Sequence, residues 1–137
     1  MSTPEDHAAA GRRRADELVR LVAEGGAAAD ALLAGLTDVR ELVFVGAGLT
    51  AMARAEGRRL PPAQRAQAST RQLRLGQLRD AQRGDPEGLR TWLRRAADEI
   101  LLLRSLQEAA ERVDQALAGR AASANGSAST SSPATAT

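Results

Sequence analysis

Phe44 and Trp92 are the only aromatic residues in a chain of 137, and no other feature restricts its possible folds so much. Tyrosine is absent, so the core must be assembled from Leu, Val and Ala. Side chains that small suit close helix–helix packing. A β-sandwich needs β-branched and aromatic residues on its inner faces. Gly and Pro interrupt the chain rarely before its last residues, and the expected fold class is all-α.

The same inventory bounds the chemistry. There is no cysteine, which excludes disulfides, thiolate metal sites and cysteine nucleophiles. The one histidine, His7, lies in a small-residue stretch, 1–11, that reads as a flexible N-terminus. General acids and bases reduce to carboxylates. The chain therefore reads as a non-enzyme, with no catalytic residue, cofactor or metal expected.

All 19 basic residues are arginine. Arg and Ala in place of Lys and Ile point to a GC-rich, bacterial-type genome before they point to function. Met1 to Gly11 is polar and acidic, without the apolar centre of a secretion signal. The longest apolar run, Leu42 to Ala53, is far short of the ~20 residues that span a bilayer. The expectation is a cytoplasmic protein that is not transmembrane.

Helical periodicity organises residues 12–119 into one bundle domain. A first helix runs from Arg12 to Glu24, where Gly25-Gly26 should break or kink it at a cost of roughly 2 kcal/mol relative to alanine. The apolar register nevertheless continues. Leu18, Val22, Gly25, Ala29, Leu32, Leu36, Val39, Val43, Gly46 and Thr50 alternate spacings of four and three like a coiled-coil seam. This predicts a long second helix from Ala27 to about Gly57. Leu60-Pro61-Pro62 ends it, and Pro62 suits the first turn of a third, basic helix running to Arg83 with a thin apolar face.

In Gly84-Asp85-Pro86-Glu87, Gly84 closes one helix in the left-handed conformation, Asp85 caps the next and Pro86 takes its first position. The final helix should reach Ala118, with Gly119 as its stop and Ile100 and Leu103 among its buried stripe. The second and fourth helices would both be about 45–50 Å long. Matched lengths predict that they pair antiparallel, burying Leu36, Val43, Ile100 and Leu103. The architecture read from this is an antiparallel bundle of three to four helices built on two long ones. Residues 120–137, which apart from Arg120 are Ser, Thr, Ala, Gly, Asn and Pro without charge or periodicity, read as a disordered tail. Asn125-Gly126-Ser127 matches a glycosylation sequon by chance.

Charge is uneven. Residues 54–95 carry eleven arginines against four acids, whereas both flanks are net acidic.

Three motifs invite sharper readings. Gly46-Ala47-Gly48-Leu49-Thr50-Ala51 after Leu42-Val43-Phe44-Val45 fits a dinucleotide-binding turn. No acid follows about 20 residues on and the helical seam runs straight through it, so small residues at a close helix contact are the preferred reading. The stretch from Gln77 through Gly84 to Leu93 has the layout of a helix-turn-helix. Its second helix is too long for a recognition helix, and a hairpin turn is preferred. Asp98, Glu99, Glu108, Glu111 and Asp114 alternate with arginines as a solvated face rather than a metal site.

Function should then work through helix surfaces. The expectation is an adaptor, export-chaperone-like or assembly protein that binds a partner helix or a second copy of itself. Gly46, Leu49 and Thr50 on the seam, Arg71, Arg74 and Arg79 on the basic helix, and Trp92 are the candidate contacts. Long helices with a floppy tail have the general look of small bacterial secretion chaperones, without a motif that carries a family. Two alternatives remain: a nucleic-acid-associated regulator using the Arg-rich middle, and an amphipathic coat on a membrane or granule.

Overall fold

In the computed structural model, which describes residues 3–130, the chain forms five helices: α1 (Pro4–Glu24), α2 (Ala28–Gly35), α3 (Val39–Arg58), α4 (Pro62–Ala81) and α5 (Pro86–Thr130). No strand occurs among the described residues. The fold is all-α, as the aromatic-poor composition requires.

The first helix begins earlier than its apolar face suggests. Thr3 caps it in a reciprocal box: the Asp6 amide donates to the Thr3 hydroxyl at 3.2 Å, and the Thr3 amide donates to the Asp6 carboxylate at 3.0 Å. The Thr3 amide, and then its hydroxyl, hold the Asp6 carboxyl below the usual aspartate range. Residues 4–11 are thus ordered helix rather than a flexible lead, and His7 stacks on Phe44 with ring centroids 5.6 Å apart.

Gly25 and Gly26 both take positive φ, 75° and 97°, which breaks the helix where the glycine pair predicts. The expected long second helix does not form. It divides at Leu36–Asp38, where the Asp38 carboxylate accepts the Arg40 amide and starts α3 afresh. The apolar register slips at this break. Ala29, Leu33 and Leu36 are buried before it, and Leu42, Val45, Leu49 and Ala53 after it. Val39 and Val43, which continue the original seam, face outward, and Val43 is 55% exposed.

Helix α4 starts at Pro62 as expected, and Gly84, at φ 87°, reverses the chain into α5 at Pro86. The potential helix-turn-helix is therefore a hairpin. Gly119 does not stop α5, whose backbone stays helical to Thr130. Residues 131–137 of the expected tail lie outside the described residues.

Side-chain contacts give the layout. On α5 Arg71 pairs with Glu99 and the Leu75 carbonyl meets Trp92, and on α3 Gln72 reaches the Ala53 carbonyl while Arg79 lies beside Gly46, so α4 runs antiparallel to both neighbours. Helices α3 and α5 consequently point the same way: Arg90 meets the Leu36 carbonyl, Gly46 lies against Trp92, and Arg104 meets Glu56. The two helices expected to be matched and antiparallel are instead of unequal length, 20 and 45 residues, and parallel.

Helix α1 packs tightest on α3. A Cβ at Gly11 would sit 2.6 Å from the Phe44 carbonyl oxygen, and one at Gly48 would sit 3.0 Å from the Ala15 methyl. Leu18, Leu42, Leu49, Leu60, Leu93, Ile100 and Leu103 fill the centre. Ile100→Ala should lower the unfolding free energy by about 2–5 kcal/mol, the range for truncated core side chains. A denaturation midpoint equal to wild type would contradict the placement of α5.

Candidate interaction groove

Helix α4 is the poorly embedded member of the bundle. Its sequence carries few apolar residues, and Ala68 is its one buried position. Polar contacts hold it in place. The Trp92 indole N–H donates to the Leu75 carbonyl at 2.6 Å, the Gln72 amide donates to the Ala53 carbonyl at 2.9 Å, and Arg71 meets the largely buried Glu99 at 2.9 Å. A helix held at so few points leaves open space beside it. Two clefts of about 390 and 280 Å³ lie between α3 and α4 and meet at Trp92, Arg79 and Asp80.

Together they form one groove. Its α3 wall is built from Val39, Val43, Gly46, Ala47, Thr50 and Arg54, which is largely the sequence seam after the slip at Asp38. Leu73, Gly76 and Arg79 contribute from α4. Val43 and Leu73 are 55% and 65% exposed, so large apolar side chains stand on the groove walls rather than in the core. From Val39 to Ala53 the α3 wall runs about 21 Å at 1.5 Å per residue. Arg54, Arg79 and Arg83 border the groove with a single acid, Asp80, which takes Arg79 at 3.5 Å and Arg83 at 3.6 Å.

The candidate contacts fall into two groups. Gly46, Leu49, Thr50, Arg79 and Trp92 gather at the α3–α4 groove, whereas Arg71 and Arg74 lie on the other side of α4, facing α5. Within the first group the roles differ. Leu49 is fully buried in the core, and Trp92 is nearly so, with the Arg79 guanidinium 5.7 Å from its ring centroid. Thr50 donates its hydroxyl to the Gly46 carbonyl, satisfying it within its own helix. Gly46 makes room for the indole: a Cβ there would meet Trp92 at 3.1 Å.

The two glycines of the apparent dinucleotide motif thus have separate structural uses. They lie two positions apart, about 200° around the helix, so Gly46 faces Trp92 of α5 while Gly48 faces Ala15 of α1. The preceding apolar run is helical, not a strand.

Sequence reasoning missed Val43 as a groove residue because the continuous seam placed it in the core. It did not single out Leu73 among the few apolar residues on the thin face of the basic helix. For Leu73 the available signal was a large apolar residue on an otherwise polar helix, whereas Val43, inside the apolar run Leu42 to Val45, gave none.

The acids interleaved with arginine on α5 are only partly the solvated, paired face expected: Glu108, Glu111 and Asp114 are exposed and, among the described residues, without an ion pair, and Glu99 is largely buried. Asp98 meets Arg94 at 3.8 Å and Glu99 meets Arg71. None of the described helices is long and apolar enough to cross a membrane. No family model matches the chain, and no curated protein or solved structure matches it significantly.

Proposed function

We propose that the protein is a non-enzymatic helical interaction module, an adaptor, export-chaperone-like or assembly protein, whose α3–α4 groove receives an amphipathic helix of a partner. The observation that carries this reading is the exposure of Val43 and Leu73 along a groove of about four helical turns. Apolar side chains in such a position bury their surface only when something docks, at roughly 25 cal/mol per Å² removed from water. An inserted helix would present anchors at positions i, i+3, i+4 and i+7. The arginines on the border favour acidic residues flanking those anchors, which steers encounter more than it adds affinity.

Val43→Glu and Leu73→Glu test this together. Both sites are exposed, so the double variant should keep wild-type helicity and change stability by no more than about 0.5 kcal/mol per site. Affinity co-purification with quantitative mass spectrometry should then show one protein enriched with wild type and lost with the double variant. An unchanged set of co-purifying proteins would count against the groove as the docking site.

A further inference from the structure

The chain from Gly57 to Arg79 holds six arginines and no acid. Two of them, Arg58 and Arg65, join Arg54 around a cleft of about 210 Å³ near the turn between α3 and α4. Helical spacing puts Arg54 and Arg58 on one face of α3, and Arg65, Ser69 and Gln72 on the facing side of α4. The helices come close beneath them. A Cβ on Gly57 would sit 3.0 Å from the Gln72 side-chain nitrogen and 3.9 Å from the Ala68 methyl. Two of the donors are held in place. Arg65 gives its Nε proton to the Leu60 carbonyl at 2.7 Å, which fixes the guanidinium at the turn and leaves both terminal amino groups to donate elsewhere. Gln72 gives one amide proton to the Ala53 carbonyl at 2.9 Å and keeps a second. Among the described residues, none of Arg54, Arg58 and Arg65 belongs to an ion pair. The clefts at Trp92, at Leu102 and at His7 differ, because each holds at least one carboxylate beside its arginines.

We propose that this cradle binds the phosphate group of a small soluble phosphate monoester. Charge selects the ligand. Three guanidinium groups with no carboxylate among them call for more than one negative charge, and a phosphate monoester carries about −1.5 to −2 near neutral pH. Its terminal oxygens accept from several directions, which suits guanidinium, hydroxyl and amide donors on two helices. A planar carboxylate has one charge and two oxygens, and a single guanidinium satisfies it. The walls select against larger phosphates. Phe44 and Trp92 are the chain's aromatic residues and neither lines the cleft, so a nucleic-acid base finds nothing to stack on. Arg71 and Arg74 face α5 on the other side of α4, so the basic residues form no track for a polynucleotide backbone. Ala68 supplies the only apolar side chain in the cleft, which leaves nothing to insert into a lipid surface. The cleft is also smaller than the ~300–1,000 Å³ pockets that enclose drug-sized ligands. It holds the phosphate and leaves the rest of the molecule in solvent. The cradle adjoins the α3–α4 groove at Arg54 and Ser69. Binding here needs no helix in that groove, because every donor belongs to the chain itself.

Isothermal titration of the full chain with methyl phosphate, near neutral pH and at fixed ionic strength, tests the proposal. Wild type should bind one equivalent saturably, and acetate should bind about tenfold more weakly or worse. Arg58→Gln and Arg65→Gln should each weaken methyl phosphate binding about tenfold or more, the loss expected for one charge-assisted hydrogen-bonding partner. Arg58→Gln leaves the bond from Arg65 to the Leu60 carbonyl in place, so its loss reads the site rather than the turn. Arg13→Gln on α1 should leave binding unchanged. Ser69→Glu sets a carboxylate among the three arginines and should abolish binding, whereas Ser69→Gln, of similar size and helix propensity, should retain most of it. No saturable heat at any attainable concentration, acetate binding as tight as methyl phosphate, or an equal loss in Arg13→Gln would overturn the proposal. Tighter binding of duplex DNA that depends equally on Arg58, Arg71 and Arg74, or Arg58-dependent binding to vesicles containing phosphatidic acid, would overturn the assignment to a small soluble ligand.

Discussion

Gly11→Leu is expected to abolish cooperative folding, although the substitution favours helix formation by nearly 1 kcal/mol on intrinsic propensity. At Gly11 the α1 backbone lies on the α3 backbone. An added Cβ would come within 2.6 Å of the Phe44 carbonyl oxygen and 2.7 Å of its carbon. Backbone cannot swing aside as a side chain can, so α1 must lift from α3. Leu18 and Val19, both buried in the core, would lift with it. Even Gly11→Ala should cost about 1–3 kcal/mol, the range for overpacking a filled interior. Urea denaturation followed by far-UV circular dichroism would measure both variants. Wild-type stability in Gly11→Ala would show that the helices do not cross at this residue.

Trp92→Ala is the second large effect. The indole fills the space left by Gly46 and anchors α4 through its N–H to the Leu75 carbonyl. Truncation should cost about 3–5 kcal/mol and release α4 before the remaining helices. Amides of α4 should then exchange with deuterium much faster than those of α3 and α5. Trp92→Phe removes the donor and part of the ring, and should cost less than full truncation, about 1–3 kcal/mol. Uniform loss of protection across all helices in Trp92→Ala would mean that α4 is not separately anchored.

Legibility of the fold followed the range of the forces involved. Local signals read well: the glycine pair at Gly25-Gly26, Pro62 at the start of α4, and the turn Gly84-Asp85-Pro86 all act within a few residues, and the structure places each where the sequence does. The seam from Leu18 to Thr50 read poorly because hydrophobic spacing records periodicity, not continuity. Asp38, a good N-cap residue immediately before Val39, was the signal that a new helix begins, and the unbroken register masked it. Once α3 restarts, a different set of side chains turns inward, which no local rule specifies. That is why Leu36, Ile100 and Leu103 are buried as expected and Val43 is not. Relative helix direction was equally hidden. Matched lengths suggested one antiparallel pair, but a short α2 and the two hairpins around α4 set α3 and α5 parallel.

The candidate contacts were legible in part for a similar reason. Small residues at 46, 48 and 50 announced close approach, but not of what. The structure assigns Gly46 to the chain's own tryptophan and Gly48 to its own α1. The thin apolar face of α4 was the more useful clue, since a helix that buries only Ala68 leaves the α3 wall beside it uncovered. Arg79 and Trp92 lie together because the α4–α5 hairpin folds them back on each other, a tertiary juxtaposition that spacing in the sequence encodes only through the turn at Gly84.

The docking of a partner helix between α3 and α4 is tested most directly by site-specific photo-crosslinking. A photoreactive amino acid placed at Val43 or Leu73, and as a control at Arg20 on α1, would be activated in cells of the native host and the adducts mapped by mass spectrometry. Both groove positions should label the same protein, on an amphipathic helix with acidic residues beside its apolar face, while the control labels it weakly or not at all. Equal labelling from Arg20, or no adduct from either groove position, would contradict the groove as the site of function.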